Sequence, residues 1–178
     1  MLKKSGNPAI AGKQTLLIIT ALMLVVGCSS DKETSSSQAQ VDRTDAKSTA
    51  GAILRAYKAK DLRTLATLST KGQYDFFIEM ADLGESHSSY RDFMEELFWE
   101  WRGEGMRAWN GQIGEARYKQ SMSKIRASVK FGELGPEEVL VVKLKCEEGK
   151  WCALQIENLS PDMFLEWGLD ELKCVPGL

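Results

Sequence analysis

Lys124-Ile125-Arg126-Ala127-Ser128-Val129-Lys130-Phe131 alternates charged or polar residues with apolar ones without a break. Successive side chains of a strand point to opposite faces, so the stretch predicts a dry face of Ile125, Ala127, Val129 and Phe131. Lys124, Arg126, Ser128 and Lys130 form the wet face. Upstream of about Ile113 the period is helical. Ala46, Ala50, Ile53 and Tyr57 share one helix face, widened by Leu54. Asp61 is placed to cap a short helix bearing Leu62, Leu65 and Leu68. Tyr74, Phe77, Ile78 and Ala81, with Phe76 and Met80, predict a well-buried third helix. Ser89 and Asp92 resemble a capping box before Tyr90, Phe93, Met94, Leu97, Phe98 and Trp101.

Downstream the period stays at two. A preceding strand is expected over Ile113–Lys119, and Gly132 to Pro136 is a turn. Leu140, Val142, Leu144 and Cys146 then point one way, with Val141, Lys143 and Lys145 opposite. Glu147-Glu148-Gly149 makes a hairpin turn. The return strand is expected to send Cys152, Leu154 and Ile156 inward and Trp151, Ala153 and Gln155 outward. Ser160-Pro161 opens a last helical turn, which Phe164 and Trp167 would pack on the sheet before Gly168 ends it. Helices first and an antiparallel meander second make an α+β fold, with the N-terminal helices packed on a curved antiparallel sheet.

The N-terminus carries an address. Lys3, Lys4 and Lys13 precede an apolar run from Thr15 to Val26, the layout of an export signal. That run is 12 residues, short of the ~20 that a helix needs to span a bilayer core. Leu24-Val25-Val26-Gly27-Cys28 resembles the lipobox of bacterial lipoproteins. The resemblance implies cleavage between Gly27 and Cys28 and acylation of Cys28, palmitate among the chains. Ser29 in the next position implies transfer to the periplasmic face of the outer membrane. On this reading 1–27 is signal peptide, 28–44 a lipidated start and polar tether, and 45–178 a single domain. The mature chain has 20 Lys and Arg against 25 Asp and Glu, a net charge of −5. Such a mildly acidic domain does not suit nucleic-acid binding.

The first helix running into Ala59-Lys60-Asp61-Leu62, the two further helices and the late hairpin Gly149-Lys150-Trp151 resemble the nuclear-transport-factor-2-like superfamily, the cystatin-like α+β cone. The resemblance covers about residues 45–160. It implies a sheet curled around helices, often with a pocket at its open end, and members range from isomerases to ligand binders. Fold alone does not choose among these.

The residues favour binding over chemistry. The inward strand positions are apolar, and Tyr118 has no evident acidic partner, so no catalytic residues are assigned. The chain has one histidine, His87, in a serine-rich loop; that count excludes a histidine-based metal cluster, and no metal or cofactor is expected. Lys124, Arg126, Lys130, Lys143 and Lys145 are expected on outward faces, where neighbouring strands would gather them into a basic patch. The alternative is a charged wet face that discourages edge pairing. Trp99 lies off the apolar stripe of its helix and is a candidate partner anchor, or else packs under a loop.

Cys146, Cys152 and Cys174 remain after Cys28, so one bridge is expected in an oxidising compartment. Cys146 and Cys152 share parity on the two hairpin arms and should face the same side. Cys152–Cys174 is favoured because it would pin the C-terminal tail, with Cys146 as the alternative partner. The leading expectation is a lipid-anchored, non-enzymatic domain that binds a small ligand or an envelope protein. An isomerase- or hydrolase-like enzyme using a cone pocket is the alternative, and a structural homodimer a third.

Overall fold

The helical half follows from its caps and faces. The computed structural model describes residues 41–100 and 109–177, without the side chains of 97–100. Asp45 caps α1 (Ala46–Lys58) by accepting the Lys47 and Ser48 amides, worth about 1 kcal/mol. Helix α1 buries Ala46, Ala50, Ile53, Leu54 and Tyr57, the stripe that the spacing predicts. Asp61 caps α2 (Leu62–Leu68) through the Thr64 amide.

α3 (Lys71–Leu83) and α4 (Ser88–Glu100) follow. α3 is less buried than expected: Phe77 and Met80 are inside, while Tyr74 and Phe76 stay exposed. Phe76 and Phe77 instead meet Phe93 of α4, with centroids 5.1 and 6.1 Å apart. The start of α4 also differs from expectation, because the helix begins at Ser88 and His87 Nδ1 accepts the Ser89 amide. His87 therefore serves a helix end.

β1 (Ala116–Ser121), β2 (Lys124–Leu134), β3 (Glu138–Glu147) and β4 (Lys150–Leu159) form an open antiparallel sheet in the order β1-β2-β3-β4. β1 starts and ends later than the expected Ile113–Lys119. Its register sets Ala116 against Val129, and Val129 against Val142. With Tyr118, Ala127, Phe131, Leu140, Leu144 and Trp151 these make the inner face, buried in one core with α1 and α2. Four helices followed by four strands, among the described residues, is the α+β order that the change of period predicts.

β4 corrects the expected parity. The register shifts between Lys143 and Leu144, pairing Lys143 with Gln155 but Leu144 with Ala153. Leu154 is the extra residue of this bulge, which flips every side chain before it. Trp151 and Ala153 thus face inward with Leu144 and Cys146, whereas Cys152 lies opposite Lys145 on the outer face. Ile156, beyond the bulge, keeps its expected place opposite Val142.

The disulfide changes with the parity. Cys146 bonds Cys174, with Cα atoms 5.4 Å apart, and Cys152 is free and buried. The favoured Cys152–Cys174 pairing is therefore replaced by the alternative partner, because the bulge puts Cys152 on the other face from the core-packed Cys174.

Both sheet edges are covered. The Trp151 amide donates to Arg43 O, its indole Nε1 donates to Thr44 O, and the Thr70 amide donates to Ala153 O. Arg43 and Thr44, assigned above to the tether, therefore belong to the packed body, and Val41 also packs on the core. After β4, α5 (Pro161–Leu165), capped by Ser160, crosses the outer face. Phe164 completes a second apolar cluster there with Val139, Val141 and Leu159. Gly168 then exchanges backbone hydrogen bonds of 2.7 and 2.9 Å with Tyr118 on the free edge of β1. The tail goes on to Cys174 and to Pro176, which lies against Gly149. Gly149 has φ 76°, and a Cβ there would meet Pro176 at 2.8 Å, so glycine meets two demands at that turn.

Candidate functional site

The outer face divides at β3. Arg117, Ser128, Lys143 and Gln155 form one cross-strand row, and Lys119, Arg126, Lys145 and Cys152 the next. The first row lies under the C-terminal segment. Arg117 Nη1 donates to Trp167 O at 2.9 Å, and its guanidinium lies 5.3 Å from the Phe164 ring centre. Lys143 Nζ stands 5.9 Å from the Trp167 ring centre. Ser128 is fully buried in this row, and its Oγ has no hydrogen bond in the structure.

The second row is bare on the β1–β2 side. Lys119 and Arg126 are register partners, as are Arg126 and Lys145. Like charges placed opposite one another cost a few tenths of a kcal/mol or more (~0.2–1) unless something answers them. Three of the five expected patch residues are answered within the chain. Lys143 pairs with Glu157, Lys130 with Glu133, and Lys145 with Glu147 at 2.7 Å. Burial pushes the Glu147 carboxyl up, but the Lys145 hydrogen bond and the Lys71 amide outweigh it and hold the pKa below the ordinary value.

Lys124 and Arg126 form no ion pair among the described residues, and neither does Lys119; all three are exposed. Lys119 enters the sequence reading only as the end of the first strand and not as part of the patch. A signal for it was present: Ala116 to Gly132 holds Arg117, Lys119, Lys124, Arg126 and Lys130 and no acid. Met122 caps this hairpin at φ 54° and is 94% exposed.

Other candidate places among the described residues are Tyr118, Cys152 and one cavity. Tyr118, the one inward group considered for acid–base work, packs against Trp151 with centroids 6.0 Å apart. Burial raises its pKa, and the charges of Glu171 and Asp45 add to the rise. Cys152 Sγ accepts from Arg43 Nη2 at 3.0 Å. Burial raises that thiol's pKa despite the opposing guanidinium, so at neutral pH it is a thiol rather than a nucleophilic thiolate. A cavity of about 180 Å³ lies between the β2–β3 turn and α5, lined by Lys130, Glu133, Glu138, Phe164 and Leu165. Small-molecule sites usually run to about 300–1,000 Å³, so this one is too small to carry a ligand argument.

Among the described residues no group of His, Cys, Asp and Glu side chains is arranged to hold a metal ion. No helix there is long and apolar enough to cross a membrane. Gly27 and Cys28 lie outside the described residues, and so does the side chain of Trp99 on α4. Comparison with protein-family models, curated proteins and solved structures finds no match to this chain.

Proposed function

We propose that the chain is a lipid-anchored cell-envelope protein, held by Cys28 on the periplasmic face of the outer membrane, whose body binds rather than catalyses. On this reading the helices and sheet are the nuclear-transport-factor-2-like cone in outline, with an interior given over to packing. The anchor is supported by Leu24-Val25-Val26-Gly27-Cys28 behind Lys3, Lys4 and Lys13. Binding is supported by one observation above the others: Lys119, Lys124 and Arg126 stand exposed and, among the described residues, without ion-pair partners, on a domain that is acidic overall. An anionic ligand or partner would supply the missing charge. Tyr118, the inward group considered for acid–base work, is engaged in the Trp151 contact.

Intact-mass analysis of the mature protein tests the anchor. The expected product starts at Cys28 and carries diacylglycerol and an N-acyl chain. A retained leader, or a clipped product without acyl groups, overturns it. Pull-down from detergent-solubilised envelopes with wild type and with Lys119→Gln/Arg126→Gln tests the binding face. The expected result is a co-purifying component that the double variant loses, and identical recovery contradicts it.

A further inference from the structure

We propose that the tip of the β1–β2 hairpin docks on the anionic phospholipid surface of the membrane that carries the anchor. Met122 enters the headgroup region, and Lys119, Lys124 and Arg126 neutralise phosphates around it. The inference rests on the proposed anchoring for its choice of membrane, and on the hairpin's own chemistry for the contact.

Three features of the fold converge on that end of the sheet. First, Met122 is 94% exposed at a two-residue turn, a place where folding asks nothing of a long apolar side chain. Its unbranched thioether adapts readily to a disordered surface. Second, the flanking cations form no ion pair among the described residues, so they can meet lipid phosphates without breaking an internal pair.

Third, the chain enters the fold at the same end. In an antiparallel meander the β1–β2 and β3–β4 turns lie together, and Arg43 and Thr44 bond Trp151, just past Gly149 in the second turn. The chain between Cys28 and Val41 can span at most about 45 Å. A tether entering at this end leaves it within reach of a bilayer that holds Cys28. Val175, 41% exposed, adds a second apolar side chain beside the β3–β4 turn.

The hairpin itself carries no acid between Ala116 and Gly132, and the acids at this end of the sheet come from other segments. Glu147 is held by Lys145 and the Lys71 amide, Asp42 accepts from Thr44, and Asp45 caps α1. Glu148 is exposed, with exposed Lys150 two residues on in the same turn. Each basic residue near an anionic membrane surface contributes about fivefold to binding. Such contacts add to acyl chains as a second attachment and also set how the domain lies.

The test uses residues 38–178, which cluster as one compact unit and omit Cys28, after circular dichroism shows each variant folded. The readout is flotation with vesicles of phosphatidylcholine alone or mixed with phosphatidylglycerol. The expected result is binding to the anionic vesicles only, weakened by salt. Lys119→Gln/Arg126→Gln should lose about 25-fold, and Met122→Ser about fivefold. No flotation of the wild type, or equal flotation of the wild type and either variant, overturns the proposal. So does capture of an acidic envelope protein by the cations without any vesicle binding. Because the fragment lacks Cys28, its failure would leave the anchor standing, and intact mass reads that separately.

Discussion

The two faces of the sheet are made by alternate residues of the same four strands, yet only the inner one is finished by packing. Ile125, Ala127, Val129, Leu144 and Trp151 meet α1 and α2 in a closed core. The outer face is covered by α5 over Val139, Val141 and Leu159 and left bare over Lys119, Lys124 and Arg126. The cover therefore follows the chemistry of the strands: apolar residues on the outer side of β3 call for a lid, and cations on β1–β2 stay in water. A surface left charged at some cost to the fold is where binding is to be sought.

Substitutions can break or sharpen this contrast. The largest effect is expected for Trp151→Ala, which empties the inner face and removes the indole bond to Thr44. Chemical denaturation should show a loss of about 4 kcal/mol. Next is the strap. Replacing Cys146 and Cys174 by serine should cost about 3 kcal/mol, whereas Cys152→Ser should stay within about 1 kcal/mol. The reverse order would mean that the bridge is misassigned. Phe164→Ala removes the lid's anchor and should cost about 3 kcal/mol. Hydrogen exchange should then rise in β3 around Val141 while α1 stays protected.

A smaller effect concerns pH. Glu147 has its pKa lowered in the fold, so its contribution is present above the ordinary carboxylate range and is lost as pH falls through the lowered value. Wild type should exceed Glu147→Gln by about 1 kcal/mol or less at neutral pH. Melting curves taken down through the carboxylate range should converge; a gap that persists in acid would break the assignment. The smallest effect is expected on the bare side. Lys119→Gln/Arg126→Gln should change stability by no more than about 0.5 kcal/mol, in the stabilising direction because a like-charge pair is relieved.

Legibility in the sequence varied with how strictly residues alternate. β2 could be read face by face, because Lys124 to Phe131 keeps a strict period, although Ser128 of the expected wet face is buried under the C-terminal segment. β4 could not, since Trp151, Cys152, Ala153 and Leu154 are all apolar and do not show where the bulge lies. With Cys146 and Cys152 expected on the same side, parity could not choose between them as the partner of Cys174, and the bulge that separates them is not visible in the sequence. The C-terminal lid was partly visible in Ser160-Pro161 and Phe164. Its path to Gly168 on the β1 edge depends on tertiary contacts that no local pattern encodes. Of the bare patch, Lys124 and Arg126 were legible, but the neutralisation of Lys130, Lys143 and Lys145 depends on Glu133, Glu157 and Glu147. Glu157 lies on another strand, at a register that the sequence leaves open.

Hydrogen exchange of the fragment 38–178, with and without vesicles containing phosphatidylglycerol, tests the contrast between the faces most directly. The account predicts added protection confined to residues 117–126, with α1, α2 and β3 unchanged. Unchanged exchange in 117–126, or new protection centred on the α3–α4 pair instead, would contradict it.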